Sequence, residues 1–154
     1  MCNNNTDCKC ISDILKVINI LQKKAVHHDE ECDNTCDRRI LGRPICFFEC
    51  NTRPIQLFLC GMNGNDPLVM PTSKDPGLRS DPDQFSSVFR VEKVDDCCCT
   101  CRVLKEVHDH DDGGKTLSDD DDCPEFEATD SFFTLDLKCV CCIRCLEDTF
   151  VDCL

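Results

Sequence analysis

Between Val88 and Leu104 the chain alternates in the manner of a β-hairpin. VFRVEKV runs into an acidic turn at Asp95–Asp96, and CCCTCRVL returns. Successive strand side chains point to opposite faces. Phe89 and Val91 therefore share one face, and Val88, Arg90, Glu92 and Val94 the other. On the return, Cys97, Cys99, Cys101 and Val103 fall together, opposed by Cys98, Thr100, Arg102 and Leu104. Three consecutive cysteines cannot all enter one core, so at least one sulfur faces outward or two neighbours share a strained bond. The same period of two marks ICFFEC (45–50), PIQLFLC (54–60) and SFFTLDL (131–137), and a short segment Leu68–Met70 follows a turn at Asn63–Gly64. Ile55, Leu57 and Leu59 share a face, as do Phe133, Leu135 and Leu137. Phe47, Phe58, Phe89, Phe132 and Phe133 are the expected aromatic core.

Helical spacing is convincing in one place. Ile11, Ile14, Leu15, Ile18 and Leu21 predict a helix over 12–25. Ser12 or Asp13 suits its N-terminus, and Lys23 and Lys24 suit the negative end of its dipole. Val17 and Ile20 widen the apolar stripe, so the helix is expected to dock on the sheet, with a partner helix as the alternative. Together these elements predict a mainly β chain: an antiparallel β-sandwich-like domain with one N-terminal α-helix and cysteine-rich termini. Its length suits one domain. An arm over 1–11 precedes a single domain over 12–154, with its β region at about 45–145 and loops at 71–84 and 108–122. The second loop, HDHDDGGKTLSDDDD, holds seven Asp and one Lys and reads as a solvated acidic run. His108 and His110 stand where a calcium loop needs oxygen ligands, which favours the solvated reading.

Composition changes the picture at sulfur. Cysteine fills 18 of 154 positions, above the roughly 8–10% that marks a disulfide scaffold in a short exported chain. Small secreted modules need disulfides because their cores are inadequate, yet this chain has nine Phe and many Val, Ile and Leu. Crosslinking beyond the monomer, or metal binding, accounts for the excess better. MCNNNTDCKC has neither the basic nor the apolar region of a signal peptide, and no stretch approaches the apolar length of a membrane span. The formal charge of −13 opposes binding to nucleic acid or to an anionic membrane surface.

Three chemistries compete for the cysteines. Cys8-x-Cys10, Cys97–Cys98–Cys99-x-Cys101 and Cys139-x-Cys141–Cys142 are compact thiolate clusters of the kind soft metals favour. His28, Cys32 and Cys36 have zinc-ligand spacing, although Asp33–Asn34–Thr35 favours a turn between them. Metal-storage chains need no alternating apolar strands, however. Cys98 to Cys101 and Cys142 to Cys145 match the Cys-x-x-Cys of a thiol–disulfide oxidoreductase, but the βαβ context of such sites is missing. No Ser-His-Asp or phosphate-loop pattern accompanies them. The third chemistry is a structural protein that assembles and then locks covalently.

Here the residues carry a resemblance. NTRPIQLFLCG (51–61), VFRVEKVDDCCCTCRVL (88–104) and FTLDLKCVCCIRCLED (133–148) resemble segments of the CotY/CotZ/ExsY family of bacterial spore coat and exosporium proteins. So do the early helix DILKVINILQ (13–22) and Cys32-x3-Cys36. The resemblance implies synthesis in the mother cell without a signal peptide, deposition around the forespore, and self-assembly into a disulfide-crosslinked, often hexagonal layer. It implies no enzymatic activity and no cofactor, with further copies of itself and other coat proteins as partners. The disulfide or crosslinking candidates are Cys2, Cys8 and Cys10 on the arm, then Cys32, Cys36, Cys97, Cys98, Cys99, Cys101, Cys123, Cys139, Cys141, Cys142, Cys145 and Cys153. Cys46, Cys50 and Cys60 lie in expected strands and suit buried thiols or internal bridges.

Overall fold

A computed structural model describes residues 8–26, 50–62, 66–75, 84–107, 126–152 and 154. The expected hairpin is the middle of its main sheet. Strands β4 (Phe89–Asp95) and β5 (Cys98–Glu106) pair antiparallel, with Asp95 opposite Cys98. Their loop is therefore Asp96 and Cys97. Asp96 has φ 45°, a left-handed conformation that tight hairpin turns require and that Asp tolerates. Strand β1 (Ile55–Leu59) joins β4, and β7 (Val140–Cys145) joins β1. On the other side β6 (Phe126–Asp136) joins β5, and β8 (Val151–Asp152) runs parallel to β6. The order is β7-β1-β4-β5-β6-β8, with a small ribbon of β2 (Met70–Pro71) and β3 (Phe85–Ser86) beside it. The protein is mainly β and largely antiparallel, and among the described residues it has one α-helix, α1 (Lys9–Val26), near the N-terminus.

The connection from β6 to β7 fixes the shape. These strands stand four places apart in the sheet, yet only the 3-10 turn Leu137–Cys139 joins them. Four interstrand steps of a flat sheet span about 19 Å, whereas the chain from Asp136 to Val140 reaches about 14 Å at most. The sheet must roll. At the closing end Leu137 N–H donates to Cys97 O at 2.7 Å, and Cys60 N–H donates to Cys139 O at 2.9 Å. One rolled sheet thus provides the facing layers that the alternation predicted.

Inside the roll lie Ile55, Leu57, Phe89, Val91, Cys99, Cys101, Val103, Leu137 and Val140, with Leu15 and Ile18 from α1. Phe89 and Phe133 meet edge to face, with ring centroids 4.8 Å apart. A bulge between Val91 and Lys93 turns Val94 onto the core side, where strict alternation placed it opposite. Two aromatic expectations are corrected. Phe132 is exposed with the Arg102 guanidinium 4.5 Å above its ring, and Phe58 is only half-buried. Phe126 packs instead with Leu104 and Val151 in a second cluster. Residues 45–49 of the expected strand 45–50, Phe47 among them, the Asn63–Gly64 turn and the loop 108–122 lie outside the described residues.

Helix α1 starts at Lys9, three residues before the expected boundary, and its buried face is rotated from the predicted apolar one. Leu15 and Ile18 are buried together with Ser12, Asn19 and Gln22, while Ile14 and Leu21 are exposed. Polar pairing explains the rotation. Gln22 Nε2 donates to Val91 O at 2.8 Å, at the point where the bulge interrupts the ladder, and Gln22 Oε1 accepts from Arg53 N–H at 3.1 Å. Ser12 Oγ donates to Asp96 O at the hairpin turn. A buried backbone group left unpaired costs about 1–3 kcal/mol, comparable to burying a whole aliphatic side chain. The helix therefore turns its amide inward at the expense of Leu21.

Residues 51–54, Asn-Thr-Arg-Pro, clasp the C-terminal segment. Asn51 exchanges two hydrogen bonds with the Val151 backbone, at 2.8 and 2.9 Å, in the manner of a strand partner. Thr52 and Thr149 form a backbone bridge, and Leu146 N–H donates to Pro54 O at 2.9 Å. Arg53 forks onto the Asp148 carboxylate at 2.6 and 2.8 Å, and this contact holds the Asp148 pKa below its ordinary value. Both partners are partly exposed, so the pair contributes about 0.2–1 kcal/mol. Buried Arg90 donates to Thr52 Oγ1 at 3.0 Å and meets Glu92 at 2.9 Å, and Arg102 shares that carboxylate at 3.0 Å.

Replacing Gln22 with Ala removes one partner from each of two backbone groups. Chemical denaturation with disulfides intact is expected to show a loss of about 1–3 kcal/mol. A loss below about 0.5 kcal/mol, the usual size of a surface substitution, would contradict the role assigned to that amide.

Candidate functional site

Two intrachain disulfides sit at the closing end of the roll. Cys8, directly before α1, bridges to Cys97 in the hairpin turn, with Cα atoms 5.7 Å apart. Cys60, directly after β1, bridges to Cys141, with Cα atoms 5.1 Å apart. The second bridge has a local cause. Phe58 pairs with Cys142 but Leu59 pairs with Val140, so Cys141 is the extra residue of a bulge and leaves the ladder. Cys139, in the 3-10 turn between these sites, is also disulfide-bonded. Loops of 89 and 81 residues are long enough for each bridge to stabilise the fold by about 2–4 kcal/mol.

The remaining described cysteines divide by exposure. Cys10, Cys50, Cys98, Cys142 and Cys145 are exposed thiols, and Cys99 and Cys101 are buried ones. Exposed sulfur occurs at both ends of the roll. At the closing end are Cys98, beside the hairpin turn, and Cys142, opposite Phe58, with Cys10 in the first turns of α1. At the other end Cys145 lies opposite Ile55, and Cys50 precedes the clasp with its Sγ 3.5 Å from Asp148 O. Cys142 and Cys145 both belong to β7, which is an edge strand. Cys50 also borders a shallow groove of about 240 Å³, shared with Leu21, Gln22, Ala25, Arg53 and Asp148.

The buried pair is chemically distinct. Cys99 and Cys101 share the inward face of β5, with sulfurs 3.4 Å apart. A hydrogen bond from Cys101 pulls the Cys99 pKa down, while that same sharing and burial push Cys101 well up. Reaction requires a thiolate with access to its target, and a sulfur inside a close-packed core lacks access. Here they serve as small apolar side chains.

These placements divide the disulfide and crosslinking candidates. The N-terminal arm does not reach to residue 11: Cys8 is buried and bridged, and Cys10 is on the helix. Of the cluster 97–101, Cys97 is bridged, Cys98 faces solvent, and Cys99 and Cys101 face the core. In the C-terminal cluster Cys139 and Cys141 are bridged, leaving Cys142 and Cys145. Cys60 forms an internal bridge, but Cys50 is an exposed thiol that the strand reading missed. The signal that finds it is the Asn-Thr-Arg-Pro that follows, since proline and turn-forming residues disfavour a continuing strand. Cys2, Cys32, Cys36, Cys46, Cys123 and Cys153, with His27 and His28, lie outside the described residues. Among the described residues no three His, Cys, Asp or Glu side chains group to hold a metal ion. No described helix is long and apolar enough to cross a membrane.

The partition predicts a labelling pattern. Brief iodoacetamide treatment of the folded, oxidant-free protein is expected to modify Cys10, Cys50, Cys98, Cys142 and Cys145. Cys99 and Cys101 should react only after denaturation. Equal labelling of Cys99 and Cys98 in the folded state would contradict the assignment.

Comparison with known proteins bears on this geometry. A family model described as Spore coat protein Z matches residues 1–148. No curated protein and no solved structure matches the chain. The match extends over the helix, the hairpin, residues 51–54 and both of these bridges, and the segments that resembled the CotY/CotZ/ExsY family lie within it. The chain belongs to the spore coat protein Z family, and its role is that of a structural protein of the spore's surface layer.

Proposed function

We propose that this protein is a self-assembling unit of the endospore coat or exosporium, building a two-dimensional lattice that disulfides then lock. One observation carries the reading: exposed thiols stand at both ends of a domain whose closing bridges are already made within the chain. A unit with reactive sulfur at one end only can close a pair. Sulfur at both ends permits contacts that propagate, and rings and extended layers need a propagating contact in addition to a closed one. The unit is a ring, taken as hexameric, and other coat proteins join the layer at its margins.

Assembly has two stages. Noncovalent faces first bring copies into register, and oxidation then joins sulfurs held within reach, with Cα atoms about 4.4–6.8 Å apart. Each bond follows thiol–disulfide exchange. Two cysteine thiols reduce one small-molecule disulfide to two thiols, and their own two electrons and two protons leave with it. Synthesis in the mother-cell cytoplasm keeps the exposed thiols reduced until deposition, which delays locking until the copies are placed. The role is structural, with the cysteines as crosslinkers and not as a redox active site.

Electron microscopy of the purified protein after oxidation with glutathione disulfide is expected to show ordered sheets. Non-reducing electrophoresis of that material should show ladders that collapse to monomer on reduction. A soluble single-chain species under the same conditions would overturn the proposal.

A further inference from the structure

The outer face of α1 has no packing partner within the described chain. Ile14, Val17, Ile20 and Leu21 are 42, 55, 53 and 47% exposed. Cys10, Ile14, Val17, Leu21 and Lys24 follow one another at steps of four and three residues. That spacing lays them along a single line, the seam of a helix–helix contact. The line lies on the side of α1 away from Leu15, Ile18 and Gln22, which hold the sheet.

We infer that this line is a contact between two copies of the chain, with the helices antiparallel and Val17 near the two-fold axis, and that Cys10 of each copy bonds to Cys50 of the other. The inference rests on the proposed assembly and names one of its faces.

Two observations select this occupant and this direction. The first is self-complementarity. Turned antiparallel about Val17, the line sets Ile14 against Leu21 of the second copy and opposes the two helix dipoles, whereas a parallel pair would set Lys24 against Lys24 and align them. Each helix carries +3, counted from Lys9, Lys16, Lys23, Lys24 and Asp13, and that like charge weakens the contact. The second is sulfur. Cys10 lies at one end of the line and exposed Cys50 borders the groove beside Leu21 and Ala25 at the other. Within one chain those ends are separated by about 17–22 Å of helix, too far for a bond. The antiparallel turn brings Cys10 of one copy to the groove of the other, and it does so twice per pair.

The 18-residue helix is about 27 Å long, so a seam about 10 Å wide buries about 270 Å² per copy. That is well under the roughly 800 Å² per partner of a stable interface. The contact is weak alone, which fits a face that needs a covalent lock. Its bonds form by the exchange already described: each Cys10–Cys50 pair reduces one glutathione disulfide to two glutathiones.

The test compares the full chain with a Val17→Glu/Leu21→Glu variant and a conservative Val17→Ile/Leu21→Met variant. All three are oxidised with glutathione disulfide, and dimer excised from a non-reducing gel is mapped by mass spectrometry. Both positions are exposed, and circular dichroism verifies that each variant folds. The expected result is a Cys10–Cys50 peptide in the wild-type dimer, kept in the conservative variant. In the glutamate variant it should fall about ten-fold or more, because burying carboxylates without partners is costly. A Cys10–Cys10 peptide, or an undiminished Cys10–Cys50 yield in the glutamate variant, overturns the inference. So do ordered wild-type sheets with Cys10 unlinked, an outcome that leaves the proposed function standing. A wild-type protein that forms no covalent oligomer overturns both.

Discussion

Three residues, Leu137–Cys139, must carry the chain from one side of the sheet to the other, and the arrangement of sulfur follows from that constraint. The short connection forces the sheet to roll. Rolling brings the end of β1, the β4–β5 turn, the start of β7 and the beginning of α1 to one place. Cysteines gather there: Cys60 and Cys141 on the paired strands β1 and β7, and Cys8 and Cys97 where the start of α1 meets the hairpin turn. Cys8 meets Cys97 and Cys60 meets Cys141 across 89 and 81 residues, and the hydrogen bonds at Leu137 and Cys139 hold the same seam. The bridges thus stand at the end of the roll that the short connection has already drawn together. Of the other described cysteines, Cys99 and Cys101 are buried thiols on β5, and Cys10, Cys50, Cys98, Cys142 and Cys145 are thiols facing solvent.

The polar contacts divide the surface further. Gln22 at the β4 bulge, and Ser12 at the hairpin turn, decide which way α1 faces. Their demand for buried partners turns four large apolar side chains outward. The clasp of Asn51, Thr52, Arg53 and Pro54 does comparable work at the opposite end, tying down residues 146–151 and leaving Cys50 at its margin. What the protein presents for assembly is therefore set by how its interior satisfies hydrogen bonds, as well as by where apolar residues occur.

Much of the fold was legible in the sequence. Period-two alternation located the hairpin, β1, and the C-terminal half of β6, because a half-buried strand must alternate. It correctly grouped Phe89 with Val91 on one strand, and Cys99 and Cys101 with Val103 on the other. It misplaced Val94, since a bulge shifts the period and leaves no mark in composition. The helix was legible as a helix, but its docking face was not, because hydrophobic spacing alone does not reveal that Val91 O needs Gln22. The sulfur division was the least legible part. Neither bridge is local in sequence, and Cys97, Cys98 and Cys99, adjacent in the chain, have three different fates: bridged, exposed and buried.

The central claim is that closure consumes one set of cysteines within each chain and leaves another for bonds between chains. Oxidised assemblies prepared from equal amounts of ¹⁴N- and ¹⁵N-labelled protein, digested without reduction and mapped by mass spectrometry, test it most directly. The account predicts isotopically pure Cys8–Cys97 and Cys60–Cys141 peptides, with mixed-isotope peptides among those linked through Cys10, Cys50, Cys98, Cys142 and Cys145. Mixed isotopes in the Cys8–Cys97 or Cys60–Cys141 peptides, with the exposed cysteines unlinked, would contradict it.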